Sequence, residues 1–262
     1  MTETQERRLI DSLIAAYEKQ ASQLELFRDQ LMPALANSLS LASHVHSMRS
    51  RLKNPDHLRG KLLRKLDEAR GRRRPFDISP DNLLRKITDL VGVRILHLYT
   101  RQIQHIDPAL RDVFAESKFQ LIEGPFARTW DDESRAFFKD CGITTQKSPS
   151  MYTSVHYVIG SASRTKMTAE IQVRTLMEEV WGEVDHTMNY PKNIESLPCR
   201  EQLKVLARVT SSASRLVDSI FVTLGDHQLT RRQRSVARSA RPAMAQTLRN
   251  SVTPRRMIRT DK

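Results

Sequence analysis

Ala169-Glu170-Ile171-Gln172-Val173-Arg174-Thr175 places a carboxylate, an amide and a guanidinium at alternate positions. On a β-strand, residues two apart share a face, so Glu170, Gln172 and Arg174 point one way and Ile171 and Val173 the other. The apolar pair suits a core. An acid beside a base on one strand face answers either to a phosphate or metal site, or to an ordinary ion pair on a solvated face. The choice turns on whether other segments carry groups of the same kind, and several do.

The chain has 262 residues and a hydrophobic share of 39%, which suits one large domain or one domain with appendages. No run approaches the ~20 apolar residues of a membrane-spanning helix, so no membrane contact is expected. Thr2 to Arg8 is charged and helix-forming rather than a secretory signal. Cys141 and Cys199 lie far apart without a metal-ligand rhythm and read as reduced thiols in a cytoplasmic protein. The net charge of +13 is uneven, because residues 229–262 hold nine arginines and one lysine against Asp261 alone. This stretch, broken by Pro242 and Pro254, is predicted to be a disordered basic arm. Such an arm either contacts RNA, tRNA, a ribosome or another polyanion, or is a solvated tail.

Apolar residues from Leu9 to Leu31 recur at helical spacing, interrupted by Pro33, and Thr2 with Gln5 forms a capping-box pattern. A second helix is predicted from about Ala34 to Arg51. Asn54-Pro55-Asp56 marks a fresh helix start, with helix through Lys61 to Ala69 and a basic loop at Gly71 to Pro75. A short helix over Leu83 to Leu90 leads into a strand from Val91 to Leu96, and Asp107-Pro108 reads as the start of another helix. Strand is expected near Phe119 to Glu123, then a long polar loop from Ala127 to Ser150. Strands at Thr153 to Ile159 and Met167 to Arg174 precede a helix over Leu176 to Met188. A last helix runs from about Glu201 to Leu224, where Gly225 is placed to end it. The fold class is α/β (α+β), with a mixed central sheet flanked by helices. The expected organisation is an N-terminal helical extension at 1–50, a core at 51–195, a C-terminal helix at 196–228 and the arm at 229–262.

Four further constellations carry chemistry. Lys53, His57 and Lys61 are four apart, and with Arg51 they form either a triphosphate cradle or a solvated basic helix face. Asp89 opens the apolar strand Leu90-Val91-Gly92-Val93-Arg94, where a carboxylate needs a partner, a metal or a capping role. Asp89 and Glu170 together suit one Mg²⁺, which takes few carboxylates plus phosphate oxygens and water. Tyr152, Ser154 and His156 share a strand face and make either a stacking surface for a base or a core edge. Trp181, Asp185 and His186 follow on a helix, where Trp181 is otherwise core and Asp185 surface.

In this order, the segments resemble the synthetase domain of the RelA/SpoT family, the pyrophosphokinases that make guanosine alarmones. The resemblance spans about Arg51 to Tyr190 and lacks the hydrolase domain of long members, as in a stand-alone small synthetase. It implies a nucleotidyltransferase-like sheet and transfer of the β,γ-pyrophosphate of ATP to the 3′-hydroxyl of GDP or GTP. It further implies that Arg51 and Arg94 sandwich adenine, that Lys53, His57 and Lys61 line the ATP phosphates, and that Asp89 and Glu170 serve Mg²⁺. Glu170 is then also placed to take the proton of the attacking hydroxyl. On the acceptor side Tyr152 stacks on the base, His156 holds phosphates and Asp185 meets guanine, with Lys147, Gln172 and Arg174 beside them. His57 stands where the family usually has serine, Met151 replaces a glycine, and Ser148 replaces a lysine that Lys147 misses by one step. These departures keep two alternatives open: the same donor chemistry on a tRNA 3′ end or an adenine nucleotide, and a degenerate RNA-binding regulator. A homo-oligomer built on the terminal helices is a further expectation.

Overall fold

The structure, a computed structural model, describes residues 2–148, 150–163, 165–189 and 196–250, with backbone alone at 189 and 236–250. Two compact units are present, Met1–Arg215 and Leu216–Lys262. The first begins with α1 (Glu3–Lys19), α2 (Ala21–Ala36), α3 (Leu39–Ala42), β1 (Ser47–Leu52), α4 (Pro55–Gly71), α5 (Leu83–Lys86) and β2 (Val91–His97). It continues through α6 (Ile103–Glu116), β3 (Gln120–Thr129), α7 (Asp132–Asp140), β4 (Thr144–Lys147), β5 (Ser154–Gly160), β6 (Thr168–Thr175) and α8 (Leu176–Asn189). Helix α9 (Leu197–Asn250) starts in the first unit and supplies the described part of the second.

The six strands form one sheet in the order β1-β2-β6-β5-β3-β4. β2 runs parallel to β6 and β3 parallel to β4, whereas the other three pairings are antiparallel, so the sheet is mixed as expected. β6 lies at its centre with Ile171 and Val173 buried on the core face. That face continues through Val93, Ile95, Val155, Tyr157 and Ile159 into a single core shared with α1, α2, α4 and α6. Tyr157 donates to Asp107 of α6 at 2.9 Å and meets Phe114 edge-on, which locks α6 to the middle of the sheet.

Several boundaries differ from the sequence reading. Ser47–Leu52 is a strand and not the end of a helix. Arg49 and Arg51 are exposed while Met48, Ser50 and Leu52 turn inward, a period of two that a helical reading overlooks. Pro33 lies in the last turn of α2, where its missing N–H forfeits one bond and the helix soon ends anyway, and the break falls at Gln20. α6 starts at Ile103, so Asp107 and Pro108 are interior; Asp107 pairs with Arg111 instead of capping. The expected loop from Ala127 to Ser150 holds the end of β3, α7 and β4. Asp131 caps α7 by accepting from the Glu133 amide, and Gly142, with φ +73°, stops it. Gly225 does not end the last helix, since one interior glycine costs only about 1 kcal/mol against alanine among good helix formers. Helical backbone likewise covers residues 229–250, where an arm without structure was expected, and 251–262 lie outside the described residues. Among the described residues no helix is long and apolar enough to cross a membrane.

Candidate active site

Strand register assembles the polar face of the sheet. Glu170 pairs with Gly92 on one side and Val158 on the other, and Gln172 pairs with Arg94 and His156. Arg94 and Gly92 face Arg49 and Arg51 of β1, and Ser154, two residues before His156, faces Arg128 of β3. The Arg51 stem lies beside Gly92, where an added Cβ would meet its Cγ at an ordinary contact distance of 3.7 Å. Arg49, Arg51, Asp89, Arg94, Glu170, Gln172, Glu183 and His186 line an open cleft of roughly 280 Å³.

Asp89 is the electrostatic centre of one half. Lys53 Nζ lies 2.8 Å from one of its oxygens and Lys61 Nζ 2.8 Å from the other. Burial pushes the Asp89 carboxyl up, but Lys61 and Lys53 together hold it below its ordinary value. Lys53 is not on the helix with His57 and Lys61, contrary to the four-residue spacing argument. It sits between β1 and α4, with its amide donating to Leu90 O at 2.9 Å and its carbonyl accepting from Tyr17 of α1. Asn54 then caps α4, accepting from the Asp56 amide at 2.8 Å, and the helix delivers Lys61 one turn beyond His57. His57 is half-buried with its ring 6.1 Å from that of His186. Burial, then Arg51, His186 and Lys53, pull its pKa down.

Glu170 is held differently. Its Oε1 is 3.0 Å from His156 Nδ1, and Oε2 accepts from Gln172 Nε2 at 3.0 Å. Burial raises its carboxyl, but the His156 contact and the Gln172 bond leave it lowered overall. His156, which the resemblance assigned to phosphates, is buried, with its other nitrogen bonded to the Tyr152 hydroxyl. Tyr152 packs beside Trp181 at 6.3 Å and 21°, with Arg174 5.8 Å from its ring centre. Trp181 is core, anchored by its indole N–H on Leu203 O at 3.0 Å.

Arg94 and Arg174 are gathered by α8. Arg94 pairs with Glu179 at 2.7 Å and with Glu183, and the other Glu179 oxygen lies 2.8 Å from Arg174 Nε. Burial lowers Arg94, and the two carboxylates more than reverse this; Arg174 is lowered, first by burial and then by Arg94. Glu178, one residue before, is buried and accepts from the Thr153 amide at 3.0 Å. Burial pushes its carboxyl up to about 7.

Two further sequence candidates are placed as follows. Lys147 is exposed on edge strand β4 and pairs in register with buried Thr129, on the opposite row from Arg128. Asp185 is half-buried on α8, where Glu183 and His186 reach the cleft instead. Pro149 and Tyr190 lie outside the described residues. The residues the sequence reading missed are Arg49, Arg128, Glu179 and Glu183. Arg49, two residues from Arg51, and Arg128, level with Ser154, lie in stretches that read as helix and as loop, so no sequence signal singled them out. Glu179 and Glu183, one turn apart on a helix, could have been paired with the two strand arginines.

No group of three or more His, Cys, Asp or Glu side chains placed to hold a metal occurs among the described residues. The polar face offers Asp89 and Glu170, close enough for Asp89 to raise the Glu170 carboxyl. Two carboxylates fit Mg²⁺, which completes its shell with water and substrate phosphates, better than a metal needing an all-protein cage.

The family described as a region found in RelA / SpoT proteins matches residues 50–195. GTP pyrophosphokinase YjbM of Bacillus subtilis (strain 168) is 27% identical over 150 residues, which is 57% of this chain. The match spans only 63% of that relative's length. Small alarmone synthetase 1 of B. subtilis, solved bound to its product pppGpp, superposes with a TM-score of 0.56 at 19% identity over 80% of this chain and 98% of that one. The same protein bound to AMPCPP gives 0.55 at 17% identity over 80% and 99%. The architecture is therefore shared with those structures.

Proposed function

The chain belongs to the RelA/SpoT family, and from that premise we propose that it transfers the β,γ-pyrophosphate of ATP to the 3′-hydroxyl of GDP or GTP, making (p)ppGpp. The observation that carries the reading is Asp89 clamped by Lys53 and Lys61, one strand from Glu170. A half-buried carboxylate between two lysines beside a second carboxylate serves triphosphate chemistry; as a mere structural device it would cost desolvation for little return.

In this reading the 3′-oxygen attacks the β-phosphorus of ATP, the bond from that phosphorus to the α,β-bridging oxygen breaks, and AMP leaves. Glu170, kept ionised by His156 and Gln172, accepts the hydroxyl proton. Lys53 and Lys61 turn from Asp89 toward the phosphates, Arg51 and Arg94 flank the adenine, and His57 borders the triphosphate. Asp89 and Glu170 would hold one Mg²⁺, which when bound neutralises phosphate charge and fixes the phosphate oxygens. Tyr152 offers its ring to the acceptor base, with Gln172, Arg174 and Arg128 nearby and His156 acting through Glu170. On this reading the chain works in the alarmone-based stringent response, in the cytoplasm.

A second reading keeps the donor and changes the acceptor to a tRNA 3′ end or an adenine nucleotide. It is favoured by Lys147 facing off the site row and by the arginine-rich C-terminal stretch, which would then contact RNA. Incubation with γ-³²P-ATP and Mg²⁺ separates the readings when GDP, GTP, ADP, ATP and bulk tRNA are offered separately. Label on a guanine nucleotide supports alarmone synthesis. Label on tRNA or on an adenine nucleotide supports the second reading, and label on none rejects both and leaves a non-catalytic regulator.

A further inference from the structure

We propose that Glu179 is a positioning residue that couples the donor half of the cleft to the acceptor half, one carboxylate oxygen holding Arg94 and the other Arg174. The inference rests on the reading of Arg94 as donor-side and Tyr152 as acceptor-side. The Glu179 side chain is 10% exposed and that of Arg174 5%, with ion-pair distances of 2.7 Å to Arg94 and 2.8 Å to Arg174. A carboxylate so poorly hydrated depends on both guanidinium groups, and removing one leaves charge uncompensated. Glu183 is a second hold on Arg94, but at 56% exposure its pair is screened by water.

The line of contacts continues on the acceptor side. Arg174 lies 5.8 Å from the Tyr152 ring centre, and Trp181, on the helix that carries Glu179, packs on the same ring. Gly182 makes room for this: a Cβ there would come within 2.6 Å of Arg174 Nη1. Tyr152, Arg174, Glu179 and Arg94 thus form one packed series from the segment before β5 through β6 and α8 to β2. A base seated on Tyr152 fixes the Arg174 plane, Arg174 fixes Glu179, and Glu179 fixes the guanidinium that meets the donor base. Each substrate then strengthens binding of the other, and the coupling is reciprocal.

The test uses the full chain and calorimetric titration of α,β-methylene ATP with Mg²⁺, with and without saturating GDP. In the wild type, GDP is expected to tighten the analogue about tenfold, within the usual range of coupling between sites. In Glu179→Gln the shift by GDP falls below about twofold, whatever the loss in affinity for the analogue alone. A merely structural residue would weaken both titrations together or neither. Arg174→Lys, which keeps the charge and loses the planar fork, loses the same shift and serves if thermal melting shows Glu179→Gln unfolded. An undiminished shift in the folded variants, or no shift in the wild type, overturns the proposal. If the analogue fails to bind the wild type at all, the reading of the site falls first and the coupling with it.

Discussion

The two halves of the polar face are built on opposite plans. On the donor half, β1, β2 and α4 bring cations around one acid, and Asp89 is neutralised by Lys53 and Lys61 before any ligand arrives. On the acceptor half, the segment before β5, strand β6 and α8 bring one ring against a cation and an indole, with carboxylates on α8 holding the arginines back. On the proposed reading, the first half answers a highly charged ligand whose phosphates displace an internal carboxylate from its lysines. The second answers a flat one, and its charges restrain each other. Donor chemistry would then be carried by groups that exchange partners, and acceptor choice by groups that stay where they are packed.

The largest expected effect lies where the halves meet. Glu170→Gln keeps the shape and an acceptor for His156 but removes the base, so transfer should fall by about 10²- to 10⁴-fold. The melting temperature should stay near wild type, and turnover within threefold of wild type would remove Glu170 from its proposed role. Next comes the donor half alone. Lys61→Ala leaves Asp89 with Lys53 only and takes a charge from the phosphates, worth about 1.5–3 kcal/mol or ten- to hundredfold in kcat/KM for ATP. If the loss appears in the acceptor KM instead, the division into halves is wrong.

How far the site was readable from the sequence follows the same division. Glu170 and Gln172, like Gly92 and Arg94, belong to strands whose alternation is plain, so period puts each pair on one face and register joins them, while Asp89 sits in the turn before β2. Lys53 and Lys61 were grouped correctly for the wrong reason: Asp89 unites them, not a common helix face. Arg49 was lost because Ser47–Leu52 has no flanking glycine or proline on its N-terminal side and was absorbed into a helix. The acceptor half was harder, since α7 and β4 lie inside a polar stretch whose only signals are Asp131, two phenylalanines and Gly142. Without β4 in place, nothing in the sequence could say that Lys147 and Arg128 occupy opposite rows.

That last point yields a sharper comparison. Arg128 is exposed on the site row level with Ser154, close enough to Tyr152 to lower its pKa against the upward push of burial, and makes no ion pair among the described residues. Arg128→Ala should raise the acceptor KM about tenfold, the worth of one charge-assisted contact, and leave the ATP KM unchanged. Lys147→Ala should alter neither. Steady-state kinetics with each substrate varied in turn decides it, and the reverse pattern would restore Lys147 to the site.

The smallest expected effect comes from what supports each half. β2 ends at fully buried His97, whose pKa burial drives down to about 4, while the segment before β5 is pinned by Glu178, pushed up to about 7. The folded state binds fewer protons than the unfolded one at His97 between pH 4 and 6.5, so this contribution is lost as pH falls through that window. At Glu178 the folded state binds more protons between pH 4.5 and 7, so its contribution is lost as pH rises. Above pH 6.5 the Glu178 loss outweighs the remaining His97 gain. Raising the pH from about 6.5 to 8 should therefore cost roughly 0.5 kcal/mol net, or about 1–2 °C in Tm. Glu178→Gln keeps the bond to the Thr153 amide without the charge, and its Tm should fall by less over the same range. Equal falls in the two proteins would mean that the acceptor segment does not rest on a titrating carboxyl.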